Sequence, residues 1–96
     1  MILSFKDQGT EDVYNGDDTK PARKACPQEI WKVARRKLDV VDKAEDLRDL
    51  KSPGNQLEKL TDDRLGQYGI RINRKYRVCF VWTDQDTENV EITDYH

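Results

Sequence analysis

Ninety-six residues, 35% hydrophobic and 38% charged, suffice for one small domain, and the expectation is a single domain over residues 1–96. That length excludes a multidomain machine or a large internal cofactor cavity. No apolar run approaches the roughly 18 residues of a membrane span and no signal peptide precedes Lys6. Two cysteines (Cys26, Cys79) and one histidine (His96) argue against a disulfide framework or a multi-histidine metal centre, so a cytoplasmic protein with no membrane contact, metal or cofactor is expected.

The net charge of −2 hides a segregation. Residues 1–47 carry 9 basic and 10 acidic groups, residues 48–77 carry 8 and 4, and residues 78–96 carry none and 5. A basic middle section precedes a wholly acidic tail. The pI near 5.4 argues mildly against gripping nucleic acid by charge alone.

Along the chain, Ile2-Leu3-Ser4-Phe5 predicts a short strand. Thr10 to Asn15 predicts a short helix capped by Thr10. From Asn15-Gly16 through Asp17, Asp18, Lys20, Pro21, Arg23 and Lys24 to Cys26 the composition predicts a loop. Pro27 suits the first position of a helix with Glu29 in its first turn. Ile30, Val33, Ala34, Leu38 and Val41 then form an apolar stripe of helical period, with Lys32, Arg35, Arg36 and Asp39 on the opposite face. Trp31 and Trp82 are expected in packing roles.

After Ser52-Pro53-Gly54 the period changes from helical to alternating. Gln56 to Leu60 predicts a short strand, and Gln67–Ile72, Tyr76–Trp82 and Asn89–Thr93 predict three more. The expected class is α+β: an N-terminal strand and two helices packed on one face of a small, mostly antiparallel sheet.

The central hairpin fixes which side chains share a face. With Asn73-Arg74-Lys75 as the loop, Ile72 faces Tyr76, Ile70 faces Val78 and Tyr68 faces Phe80. A two-residue loop would instead set Ile72 against Arg77 and spoil both faces, so the three-residue loop is expected. Arg71 then lies opposite Arg77 on the face away from the helices, beside the small residues Gly69 and Cys79. Val90 and Ile92 must face the core, so Glu91, Thr93 and Tyr95 point to the arginine side. Leu57 inward leaves Glu58 outward, with Asp94 and His96 at the edge of that face. Paired guanidiniums with a carboxylate, a phenol and an imidazole nearby suit holding a phosphodiester and moving its protons. The plain alternative is a solvated arginine pair neutralised by Glu91 or Glu58. Cys79 is expected to pack as a small residue, with no base poised to activate it.

The blocks Ser52-Pro53-Gly54-Asn55-Gln56-Leu57-Glu58, Arg64-Leu65-Gly66-Gln67, Ile70-Arg71-Ile72-Asn73, Tyr76 to Trp82 and Val90-Glu91-Ile92-Thr93-Asp94-Tyr95-His96 together resemble the HigB-type toxins of the RelE/ParE superfamily. The resemblance covers essentially the whole chain and implies a RelE-like fold. It also implies a ribosome-dependent mRNA endonuclease that enters the 30S A site and cuts by attack of the ribose 2′-OH on the adjacent phosphate. By the same resemblance Arg77 stabilises charge on the scissile phosphate, Tyr95 orients the nucleotide or stacks on its base, and Asp94, His96 and Glu58 are the proton-transfer candidates. Arg71, Arg64 and Lys75 are then the RNA-binding residues, and the partners are mRNA, the ribosome and a HigA-like helix-turn-helix antitoxin. The chain departs from the pattern in its acidic pI, in Glu58 and Thr61 where some relatives carry His and Lys, and in Tyr76 where a tryptophan is usual. Two alternatives stand beside the nuclease: a ParE-like toxin that binds DNA gyrase, and a silent antitoxin-binding corepressor.

Overall fold

The computed structural model describes residues 1–94; Tyr95 and His96 lie outside the described residues. Helices α1 (Gln8–Asn15), α2 (Lys20–Ala25) and α3 (Trp31–Lys43) precede strands β1 (Glu58–Lys59), β2 (Gln67–Arg71), β3 (Tyr76–Thr83) and β4 (Asp86–Asp94). The strands form an antiparallel sheet in the order β1-β2-β3-β4. The expected N-terminal strand is present as an edge segment running parallel to β4. It is held by bridges Ile2–Thr87 and Phe5–Val90, with Leu3 N–H donating to Thr87 O at 2.8 Å.

One face of the sheet carries the core. Ile70, Ile72, Val78, Phe80, Val90 and Ile92 pack against Val13, Trp31, Ala34, Leu38 and Val41 from α1 and α3. The α3 stripe is the one its period predicts, and full burial of a side chain such as Leu38 contributes ~1.5–3 kcal/mol. Trp31 is buried, its indole N–H donating to Cys26 O at 3.0 Å, and Trp82 is half-buried against the same core. Among the described residues no helix is long and apolar enough to cross a membrane.

Three helical segments differ from the sequence reading. First, α1 begins earlier, because Asp7 and not Thr10 caps it: the Asp7 carboxylate accepts from Thr10 N–H at 2.7 Å. A carboxylate there also meets the positive end of the helix dipole. Thr10 is instead buried in the first turn, where its hydroxyl accepts from Ile92 N–H at 3.0 Å and ties α1 to β4. Second, part of the expected loop is a helix. Thr19 caps α2 by accepting from Ala22 N–H at 3.1 Å, and Pro21 sits in the first turn, where its missing N–H costs nothing. Gly9 allows this helix to approach, since a Cβ there would clash with Pro21 O. Third, Pro27 precedes a 3-10 turn, Gln28–Ile30, and α3 proper starts at Trp31.

The hairpin has the expected register: Tyr68 opposite Phe80, Ile70 opposite Val78, Arg71 opposite Arg77. Asn73 closes its loop by accepting from Lys75 N–H and Tyr76 N–H at 2.9 and 2.7 Å. In β4 a bulge interrupts the alternation between Glu88 and Glu91, with Asn89 at φ 53°. The bulge lets Thr87 and Val90 both face inward, so β4 starts at Asp86, ahead of the expected Asn89.

Candidate functional site: the open face of the sheet

The face opposite the helices is built from two adjacent rows of side chains. One runs Arg71–Arg77–Thr93, the other Glu58–Gly69–Cys79–Glu91. Arg71 and Arg77 are half-buried. The Arg77 guanidinium is anchored to its own hairpin, Nη1 donating to Asn73 O at 2.8 Å and to Tyr76 O at 3.3 Å. Among the described residues no carboxylate lies within 4.0 Å of either arginine. Like charges so placed repel by some tenths up to ~1 kcal/mol.

The plain alternative required Glu91 or Glu58 to neutralise the pair. Glu91 is committed elsewhere. Its Oε1 accepts from Arg64 Nη1 at 2.8 Å and lies 3.6 Å from Lys6 Nζ. Glu58 is exposed on the outermost strand, opposite Gly69. The turn before its strand is held by a short polar chain. Lys37 Nζ of α3 donates to Asn55 Oδ1 at 2.6 Å, and Asn55 Nδ2 donates to Leu50 O at 3.2 Å. Asn55 is buried, so the turn leading into β1 is clamped to α3.

The face is not bare, although no helix covers it. The segment after β1 folds back so that Leu60, buried, reaches over Gly69, its Cδ2 3.5 Å from where a Cβ would stand there. Cys79 is fully covered in the same place, as its expected packing role requires. Burial pushes its thiol up to about 11, with Glu91 and Glu58 adding to the rise and Arg64 and Arg77 opposing it. That thiol is protonated and inert at neutral pH.

Of the remaining expected site residues, Lys75 sits on the exposed hairpin tip, 5.7 Å from the Tyr76 ring centroid and 3.7 Å from Asp94 Oδ2. Asp94 ends β4 opposite Tyr76, one step beyond the Arg77–Thr93 pair. Alternation sets it with Ile92 and not in the arginine row, where it lines a cleft of about 490 Å³ with Asp7, Gln8 and Lys24. Tyr95 and His96 lie outside the described residues. The sequence reading missed the Lys6–Glu91–Arg64 cluster and the Leu60 cover. Arg64 is delivered by a 3-10 turn, Asp62–Arg64, and Gly66 at φ 93° turns the chain back into β2, so no periodic signal marks it.

Solved structures that share this fold include two from one bacterium. The YoeB dimer from Staphylococcus aureus superposes with a TM-score of 0.60 at 22% identity, covering 99% of this chain and 94% of that one. A YoeB–YefM complex from the same organism gives 0.60 at 17% identity, covering 100% and 98%. Toxin HigB-1 of Vibrio cholerae serotype O1 is 36% identical over 85 residues, 88% of this chain and 86% of that protein. An uncharacterized protein of Haemophilus influenzae is 32% identical over 87 residues, 90% and 83% of the two chains. Residues 3–96 match the model of the HigB-like toxins, described as the RelE-like toxin of the type II toxin–antitoxin system HigB. The chain belongs to that family of RelE-like toxins.

Proposed function

We propose that this toxin is a ribosome-dependent mRNA endonuclease that stops translation. The supporting observation is the Arg71–Arg77 pair, held face to face on an open sheet surface with no carboxylate to neutralise it among the described residues. A fold accepts that repulsion at little cost when the site's ligand is anionic, and a phosphodiester approached by two guanidiniums is such a ligand. In this reading the ribose 2′-OH attacks the neighbouring phosphate, the 5′-oxygen leaves, and the products are a 2′,3′-cyclic phosphate and a 5′-OH. Arg77 meets the charge that grows on the non-bridging oxygens, with Arg71 beside it. Glu58 and His96 are the groups for taking the 2′-OH proton and returning one to the leaving oxygen, because Asp94 stands off the arginine row beside Lys75. Tyr95 orients the nucleotide, and Arg64 and Lys75 hold flanking phosphates.

The toxin acts in the cytoplasm, where mRNA and the 30S A site are found, and is restrained by a helix-turn-helix antitoxin of the HigA type. Family membership supports an antitoxin, and the YoeB–YefM neighbours are themselves toxin–antitoxin complexes. The test is cleavage of a defined mRNA by the purified protein with and without ribosomes. Cleavage only with ribosomes, ending in a cyclic phosphate, is expected, and Arg77→Ala should slow it by about 10²–10³, the usual cost of removing one preorganised charge-stabilising donor. Cleavage of free mRNA at the same rate would overturn ribosome dependence. Growth arrest that begins with DNA damage would favour a gyrase-binding toxin, and no arrest at all a silent corepressor.

A further inference from the structure

The Arg64–Glu91 contact is unlike the other ion pairs among the described residues. In it both side chains are largely covered, at 20% and 16% exposure, whereas each of the others has at least one partner more than half exposed. Glu91 belongs to β4 and Arg64 to the 3-10 turn before β2, 27 residues apart in sequence. A single nitrogen of Arg64, Nη1, is shared between Glu91 Oε1 at 2.8 Å and Gln67 Oε1 at 3.2 Å. Two acceptors on one nitrogen, from two different strands, fix both the rotamer and the plane of the guanidinium. Lys6 adds a second cation 3.6 Å from the same Glu91 oxygen. Without the carboxylate, Lys6 and Arg64 would face each other as like charges.

We infer that Glu91 is a positioning residue for phosphate recognition: it holds Arg64 where its Nη1 bridges Glu91 of β4 and Gln67 of β2, on the sheet face that carries Arg77, so that the two guanidiniums present a fixed spacing to an RNA backbone. This rests on the nuclease reading for its consequence but not for its geometry. Glu91 touches no reacting atom and acts only through Arg64. A carboxylate on an anion-binding face is otherwise unfavourable, since it repels phosphate. Its place on that face follows from what it does to Arg64.

The experiment compares single-turnover cleavage on programmed ribosomes for the wild type, Glu91→Ala, Glu91→Gln, Arg64→Ala and the double variant Arg64→Ala/Glu91→Ala. Displacing a substrate-positioning group by about 1 Å costs up to ~10²-fold. Glu91→Ala should therefore slow cleavage by about 10–100-fold, by that same displacement argument, with a folded, cooperative melting transition. Glu91→Gln keeps an acceptor for Nη1 and should recover most of the loss. The double variant should be no slower than Arg64→Ala alone, because Glu91 has nothing left to position. Wild-type rates in Glu91→Ala, or losses that multiply in the double variant, would overturn the inference. A second readout is independent of cleavage: the Arg64 side-chain N–H resonances should be rigid in the wild type and averaged by motion in Glu91→Ala. If they stay rigid, Glu91 does not position Arg64. If wild-type protein fails to cleave at all, the nuclease reading falls, and these resonances still decide the positioning role.

Discussion

Arg71 and Arg77 share one repulsion but not one anchorage. Arg77 spends a guanidinium nitrogen on two carbonyls of its own hairpin, while no side-chain hydrogen bond from Arg71 to a described residue accompanies it. The two alanine variants should therefore separate stability from activity. Arg71→Ala relieves the like-charge contact and should leave the melting temperature unchanged or raise it, while slowing cleavage. Arg77→Ala removes the same repulsion but also the hairpin hydrogen bonds, and should cost about 1 kcal/mol of stability as well as activity. Thermal melts beside cleavage rates check both. The hairpin arginines were legible in the sequence because alternation assigns each strand residue to a face. What Glu91 does was not legible, since its partners Lys6 and Arg64 come from distant, non-periodic segments.

At the scale of elements, α1 and α2 are tied by one polar contact. Thr19 caps α2 and donates its hydroxyl proton to Asp12 Oδ2 at 2.6 Å, while Gln8 Nε2 donates to the other oxygen at 2.8 Å. These hydrogen bonds, Thr19 first and Gln8 second, hold the Asp12 carboxyl below its ordinary 3.8. A depressed carboxyl stabilises the fold above the unfolded pKa, and that stabilisation is lost as pH falls from about 4 through the lower folded value. Thr19→Ala should cost ~1–2 kcal/mol at neutral pH through the lost cap. It should also flatten the acid limb of the stability–pH curve, because the larger cause of the shift is gone. Urea titrations at pH 7 and below 4 measure both effects, and an unchanged acid limb would refute the linkage. Composition alone reads residues 15–26 as loop because Gly16, Asp17, Asp18 and Pro21 are all breakers taken singly. In place, Thr19 before Pro21 is a helix start, and Asp12 gives that start a partner on another helix.

The whole molecule has a helix-covered face that carries the core and an open face that carries charge. Leu38, fully buried at the centre of α3, reports on the first: Leu38→Ala should lose about 2–5 kcal/mol by denaturant unfolding. The cysteines report on both sides of the sheet. Burial raises Cys26 and Cys79 alike to about 11, so alkylation at pH 7–8 should be slow in the folded protein and track unfolding. Rapid labelling of Cys79 alone would show that the Leu60 cover opens on its own. Salt gives the electrostatic counterpart. Arg64, Arg71, Lys75 and Arg77 fall within residues 64–77 of an otherwise acidic chain, so cleavage should weaken as ionic strength rises.

The amino-acid order by itself determined α3, the hairpin register and the opposition of Arg71 to Arg77. Each follows from a local period of 3.6 or 2, and a slip of one residue would bury charge. Only the tertiary structure decided that Glu91 goes to Arg64 and Lys6 and not to the arginine pair, and that Leu60 folds over Gly69. It also decided that Asp94 Oδ2 comes within 3.7 Å of Lys75 Nζ. Those choices depend on the paths of the turns between strands, where no periodicity constrains the chain and contact is set by residues distant in sequence.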